Sequence, residues 1–367
     1  MNRRHLIIGG ATVAALGLGA AGLTVAQMGS GDDYARAMVE LRTPLTTRPD
    51  VHNLIRYATL APSGHNAQPW RFRPAEGRIE ILPDLARRTP VVDPDDHHLF
   101  VSLGCAAENL ALASAATGLP GVVRFDPSGD GGGGGVVFDF ERGPPDRSAL
   151  FDAIPRRQST RAVFDGRPVS PADLGLLAKA AAVPGVDLVL LTDRPRRVAL
   201  RDLVLAGNSA QMADEAFLRE LKSWLRFNPA RALGTGDGLY SVASGNPVLP
   251  DWLGPLAFDW LSTASSQNDA YASQMRSSAG VAVFIGAKAD PAHWVAVGQA
   301  CQRFALQATA LGLKQAFMNQ PVEVADLRPQ LASLLALPGR RPDIVIRFGY
   351  GAALPYSARR PVAAVRV

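Results

Sequence analysis

In the first part of the chain, apolar positions follow two different periods. From Leu54 to Leu60 they recur at helical spacing and stop at Pro62-Ser63-Gly64, which predicts a short helix ended by a turn. Trp70-Arg71-Phe72 and Ile79-Glu80-Ile81-Leu82 alternate with period two and predict a pair of strands, most simply a hairpin. After the turn-rich Asp93-Pro94-Asp95-Asp96, Leu99 to Leu119 forms a long Ala/Leu segment whose Gly118 suits a left-handed helix cap. The Gly131 to Gly135 run predicts a flexible hairpin loop before a strand at Val136-Val137-Phe138; it has no lysine of the kind a phosphate loop uses.

This order then recurs. Aligning Gly104 with Gly298 gives Ala111/Ala305, Leu112/Leu306, Ala116/Ala310, Gly118/Gly312 and Leu119/Leu313 at a constant offset of 194 residues. Leu54 to Pro62 matches Leu176 to Pro184 in pattern at an offset of 122. The 72-residue difference implies an insertion in the second half, placed by elimination at about 200–274. Trp224, Trp252, Trp260, Gly234-Thr235-Gly236-Asp237-Gly238 and Gly245-Asn246-Pro247 fall within it, so an irregular segment is expected, either a lid over a site or a packing elaboration. Two copies predict a fused pseudo-dimer with an internal pseudo-twofold axis, and this fusion removes the usual need to dimerise. The expected divisions are 27–145 for the first half and 146–367 for the second.

Composition narrows the class. At 367 residues, 47% hydrophobic and 19% charged, the chain can bury a substantial core. Its net charge of +5 comes from scattered arginines and short motifs without long basic runs, which argues for a local anion site and against a nucleic-acid groove. Cys105 and Cys301 form neither a disulfide framework nor a metal spacing and are expected to be buried helix residues. His97-His98 beside Asp95-Asp96 is a poor metal motif because adjacent histidines seldom converge on one ion, and no metal is expected. No Ser/His/Asp order or carboxylate pair emerges. Residues 1–26 combine Asn2-Arg3-Arg4 with an uncharged stretch from Leu6 to Ala26, which reads as an export signal cleaved after Thr24-Val25-Ala26 or as an uncleaved anchor. The paired arginines resemble a twin-arginine signal without its preceding Ser/Thr and following Phe and Lys.

Two segments carry candidate chemistry. In Ala61-Pro62-Ser63-Gly64-His65-Asn66-Ala67-Gln68-Pro69-Trp70-Arg71-Phe72, a turn offers hydroxyl, amide and backbone groups to a planar ligand, and His65 is a contact residue within it. In Pro155-Arg156-Arg157-Gln158-Ser159-Thr160-Arg161, guanidinium forks and hydroxyls suit a phosphate.

Together these segments resemble the signatures of the FMN-dependent nitroreductase family. An ordinary member carries both on one chain and builds two flavin sites across a homodimer; here they are divided between the halves. The second half reads Val183-Pro184-Gly185-Val186-Asp187 where the loop would stand, so the resemblance implies one complete hybrid site and one degenerate one. It extends to Leu311-Gly312-Leu313-Lys314-Gln315-Ala316-Phe317, where Lys314 replaces a commoner small residue, to Pro342–Gly351, and to Ser357-Ala358-Arg359-Arg360-Pro361. With the signal included, the chain resembles the Acg-type branch of the family.

The resemblance implies an α+β fold with mixed or antiparallel sheets flanked by helices. It also implies FMN as cofactor, with NAD(P)H as a candidate donor. Arg156, Arg157, Ser159, Arg359 and Arg360 are then expected at the phosphate, and Pro62, Ser63, Asn66 and Gln68 at the ring or ribityl chain. The cofactor carries the reaction, so no catalytic side chain is assigned. Reduction of an unknown small acceptor is the expected function; flavin sequestration or redox regulation beneath a lid is the alternative. The expected product is an exported monomer in the periplasm or cell envelope.

Overall fold

The computed structural model describes residues 27–46, 49–129 and 133–367; the segment read as a signal and residues 131 and 132 of the glycine run lie outside them. Helix α1 (Gly31–Leu41) begins where Ser30 Oγ accepts from the Asp32 and Asp33 amides, and α2 (Val51–Thr59) where Asp50 accepts from Asn53. Strands β1 (Trp70–Ala75) and β2 (Arg78–Pro83) form the expected hairpin around Gly77, whose φ is +65°. Helix α3 (His97–Ala116) follows, its first amides at His98 and Leu99 each 3.0 Å from an Asp93 carboxylate oxygen. Strands β3 (Gly121–Asp126) and β4 (Gly135–Phe140) complete an antiparallel sheet in the order β1-β2-β4-β3.

After α4 (Ala149–Ala153), the plan repeats with α5 (Pro171–Ala180) and β5 (Val186–Leu191). The short turn of the first hairpin is replaced by 192–279, which holds α6 (Arg194–Ala213), α7 (Glu215–Ser223), β6 (Leu225–Arg226), α8 (Pro229–Thr235), β7 (Leu239–Tyr240), α9 (Gly254–Leu261) and α10 (Ala264–Arg276). Thus the segment expected to be irregular is mostly helical; many of its glycines and prolines sit in the connections. Then come β8 (Gly280–Gly286), α11 (Pro291–Ala310) and β9 (Lys314–Phe317). A second elaboration, α12 (Gln320–Glu323) and α13 (Arg328–Leu334), precedes β10 (Ile344–Gly349). This sheet, β5-β8-β10-β9, has the strand order of the first and is also antiparallel. Among the described residues, the mixed character that the resemblance allowed is limited to the short parallel β6-β7 pair and two isolated bridges.

The sheets bury different amounts of surface. Strand β1 alternates buried and exposed, because one face of its sheet meets solvent, whereas β8 and β10 are buried along their whole length. Ala282, Phe284, Ile346 and Phe348 face the central core, while Val281, Val283, Ile285 and Val345 pack in a second core with residues of α6, α10 and α13. Between the sheets lie α3 and α11. By length and composition α3 could cross a membrane, but it is buried inside the molecule as a core helix.

The α3–α11 contact is reciprocal. A Cβ on Gly104 would come within 2.0 Å of Val295 O, and one on Gly298 within 2.1 Å of Val101 O, so the backbones touch where both side chains are absent. Four and five residues on, Glu108 accepts from Arg303 (2.7 Å) and Asn109 accepts from Gln302 (2.7 Å). Each of these exchanges partners under the same 194-residue offset. Asn109 and Arg303 further donate to Tyr57 O and Ala180 O, in the last turns of α2 and α5. Cys105 and Cys301 are free and buried beside this crossing.

Gly298→Ala is expected to destabilise the protein by about 3 kcal/mol, since the new methyl meets backbone that cannot rotate away. This exceeds the ~1 kcal/mol that alanine gains over glycine in a helix. A chemical-denaturation midpoint unchanged or raised in the variant would contradict the packing described.

Candidate functional site

The site begins with backbone geometry. Three residues without the freedom of glycine, His65 (φ 47°), Asn66 (φ 53°) and Gln68 (φ 54°), adopt left-handed conformations immediately after α2. Such strain needs fixed surroundings. Ser63 Oγ accepts from the Gln68 amide at 2.9 Å, and Asn66 Nδ2 donates to Gly238 O and Ala358 O, both at 3.1 Å. Gln68 Nε2 donates to Gly236 O at 2.9 Å. Gly236 and Gly238 have positive φ, and a side chain at either would strike Arg359 O or Trp224 O. Between them Asp237 pairs with Arg87 and Arg226. The insertion is thereby latched to the strained turn.

Sheet edges deliver the basic residues. Thr160 N donates to Gln315 O (2.7 Å) at the β9 edge, placing Arg157 and Ser159 just upstream. At the β1 edge, Phe72 N donates to Val365 O (2.7 Å), which directs the preceding Arg359 back toward α2. Both arginines then meet the C-terminal carbonyls of α2, the negative end of its dipole. Arg157 donates to Leu60 O (2.8 Å); Arg359 donates to Thr59 O (2.7 Å), Leu60 O (3.2 Å) and Ala61 O (3.1 Å). Arg42, at the end of α1, lies with its guanidinium carbon 3.9 Å from the Tyr356 ring centre.

These three guanidinium groups surround a cavity of about 70 Å³ that is also lined by Pro62, Ser63, His65, Asn66 and Ser159. Among the described residues no carboxylate lies within ion-pair distance of any of them, and Arg157 Nε and Nη1 and Arg42 Nε are buried without a hydrogen-bond partner. Burial, together with repulsion among the cations, pushes Arg42 down to about 10 and Arg359 well below the usual arginine range; burial alone pushes Arg157 down to about 10. Uncompensated buried charge is costly, and an anion in the cavity would relieve it.

The small cavity shares Pro62, Ser63, His65, Arg161, Leu239 and Phe317 with a larger one of about 450 Å³, a volume suited to a small molecule. Cys105, His98 and Phe317 form part of its wall, and the insertion supplies most of the remainder, including Phe217, Phe227 and Tyr271. Gln211 donates to Glu323 Oε2 (2.6 Å) at the wall, and burial raises the Glu323 carboxyl.

Of the residues expected at the site, Pro62, Ser63, Asn66, Arg157, Ser159 and Arg359 converge on the small cavity. Arg156 does not: it is exposed and donates to Asp152 O, because the chain turns between adjacent arginines and only one can face inward. Arg360 instead donates to Gln68 O and Asp84, and Gln68 is buried in the latch outside both cavity walls. Lys314 on β9 also lies outside the walls, whereas Phe317 reaches them. Arg42 was missed, and Arg161, within the basic segment, was not assigned to the site although it lines both cavities. A signal for Arg42 existed in the Tyr34-Met38-Arg42 stripe at helical spacing, since Tyr34 and Met38 are the buried face of α1.

Asp93, His97 and His98 bring potential ligand atoms within 4.8 Å of one another. The Asp93 oxygens already accept the first amides of α3, and His97 Nε2 lies 2.9 Å from Asp343 Oδ1. Asp93 thereby fixes the start of the core helix.

Comparison with known proteins matches residues 154–350 to the Nitroreductase family. The chain belongs to that family. A Mycobacterium tuberculosis protein provisionally named an NAD(P)H nitroreductase is 26% identical over 323 residues, covering 86% of this chain and 90% of the relative. A structure titled as a nitroreductase with bound FMN from Desulfitobacterium hafniense aligns with 59% of this chain and 96% of its own, at 17% identity and TM-score 0.38. The FMN-dependent nitroreductase NfnB of Mycobacterium smegmatis, solved with NADPH, aligns with 60% and 92%, at 13% identity and TM-score 0.37. This nitroreductase-family chain thus has an α+β fold of antiparallel sheets and helices.

Burial holds His65 down at about 4, below its ordinary 6.5, and its Nδ1 lacks a partner. The unfolded chain therefore takes up this proton first on acidification, so the contribution of His65 to stability declines from pH 6.5 toward pH 4. Asp343, raised to about 6 by burial, acts in the opposite sense across part of that window. His65→Gln is expected to show a shallower acid loss than the parent in denaturation midpoints measured from pH 7 to 5; parallel profiles would contradict the neutral imidazole.

Proposed function

We propose that the protein is an FMN-dependent oxidoreductase that reduces a small acceptor, with NAD(P)H as donor. The observation carrying this reading is the small cavity itself: buried guanidinium groups with unused donors and no carboxylate, opening into a chamber of organic-molecule size. Arg42, Arg157, Arg359 and Ser159 would hold the phosphate, while Pro62, Ser63, His65 and Phe317 would border the flavin. Bound FMN would supply hydride or electron transfer. The protein side chains bind, orient and exclude water, and the half-buried His65, held neutral above about pH 4, adds no charge to the site.

The arrangement extends to the ancestry of the chain. The common strand order and the reciprocal α3–α11 contacts support an internal duplication that yields a monomeric pseudo-dimer of the Acg-type branch. One site would use the turn of the first half and the arginines of the second. Residues 1–26 would direct export to the periplasm or cell envelope by the twin-arginine route, which carries folded, cofactor-loaded proteins, or remain as an inner-membrane anchor. A fusion of this segment to a reporter should lose export in a strain lacking twin-arginine transport; retained export would reject that route.

The insertion favours a second reading. Because it roofs the larger cavity and is latched to the strained turn, the same site would suit flavin sequestration or redox regulation without turnover. Stopped-flow mixing with NADPH separates the two: flavin bleaching supports turnover, and a bound flavin that does not react supports sequestration.

The purified protein should be yellow. Arg157→Ala is expected to weaken FMN binding about 10- to 100-fold, as expected for loss of a charged hydrogen bond worth roughly 1.5–3 kcal/mol. Arg156→Ala should leave binding within about twofold, because an exposed charge is screened by solvent. Quenching of FMN fluorescence during titration measures both. Equal losses from the two variants would reject the assigned geometry.

A further inference from the structure

Helix α9 has apolar residues on opposing sides. Ala257, Phe258 and Leu261 line the larger cavity, as expected for part of its roof. On the other side Trp252, just before the helix, aligns at four-residue spacing with Leu256 and Trp260; Trp252 is 66% and Trp260 81% exposed. The remaining tryptophans, Trp70, Trp224 and Trp294, are buried or half-buried. Ordinary surface placement does not account for two nearly free indoles on one stripe.

The route of the chain identifies what this face meets. Ala230 N, in α8, donates to Met28 O at 2.8 Å, and Gly29 packs against Ala230. Two residues earlier, Asn228 Nδ2 donates to Leu249 O (3.2 Å) and Asp251 Oδ1 (2.8 Å), immediately before Trp252. Gly254 then packs directly on the Phe227 ring. The first described residues therefore leave the molecule beside α9. The uncharged sequence from Leu6 to Ala26 precedes them, and its length is enough to span a bilayer.

We propose that Trp252, Leu256 and Trp260 form a membrane-surface docking face, inserting into the headgroup region of the bilayer reached by residues 6–26. Indole suits this depth because its apolar ring and polar N–H are satisfied together there. The only ionised side chain on α9, Asp259, pairs with Lys222 at 2.8 Å, so the face needs no anionic lipid. Docking also sets the roof of the cavity against the lipid surface. The inference rests on the membrane reading of residues 6–26 for the side of the molecule and is independent of flavin.

The test uses the full chain bound to phosphatidylcholine vesicles with or without bromine in the acyl chains near the headgroups. Brominated lipid should quench part of the tryptophan emission. Trp252→Phe with Trp260→Phe should remove the quenchable part while the chain still floats with the vesicles. Leu256→Glu should abolish quenching by placing a charge in the centre of the stripe. A chain that floats but is not quenched would overturn the docking face and leave the anchor standing; failure to float would overturn both. Dimerisation that shields Trp260 from aqueous iodide would assign the face to a second copy and overturn the lipid assignment.

Discussion

Two helix backbones in contact at Gly104 and Gly298 determine where everything else in the protein can be. A methyl at either position would overlap a carbonyl of the opposite helix, so the close approach exists only because both side chains are missing. Around that contact, Glu108 with Arg303 and Asn109 with Gln302 fix the rotation of one helix on the other. The same layer reaches outward through Asn109 and Arg303 to the ends of α2 and α5. Small changes in the crossing would thus propagate to the helix end that gathers the arginines.

That helix end explains how cations can be buried together without a carboxylate partner. Carbonyls at Thr59, Leu60 and Ala61 satisfy part of Arg157 and Arg359. Backbone dipoles compensate less than a carboxylate, leaving net positive potential at the cavity and donors still available. A carboxylate partner would stabilise the arginines more strongly, but it would fill their binding capacity. The arrangement accepts strain in the His65–Gln68 turn for the same end: positive φ angles turn the chain tightly enough to join α2, the insertion and the C-terminal segment at one point. The insertion acts within this scheme as both wall and fastening, with Gly236 and Gly238 allowing its backbone to approach the turn.

Much of this architecture is legible in the amino-acid order. The helix ended by Pro62, the hairpin after Trp70 and the repeated helices with Gly118 and Gly312 follow from period, turn chemistry and left-handed caps. Segment resemblance also points to Pro62, Ser63, Asn66, Arg157, Ser159 and Arg359, six residues that converge in space. These features are local or recur along the chain, so they leave a pattern in sequence. The helices of the insertion were less legible because glycines and prolines interrupt the segment and α9 carries apolar residues on both its cavity and its exposed side.

Tertiary structure alone decided which basic groups face the cavity. Arg156 and Arg157 are chemically alike and adjacent, yet one is turned into the protein and the other into solvent. Arg42 enters from a helix more than a hundred residues away from Arg157, and Arg360 is drawn instead to Gln68 and Asp84. Sequence determined the inventory of charges, turns and repeated helices because those depend on residue type and near neighbours. Their convergence depended on how the two sheets and the C-terminal segment pack around the glycine crossing, a constraint assembled from distant residues.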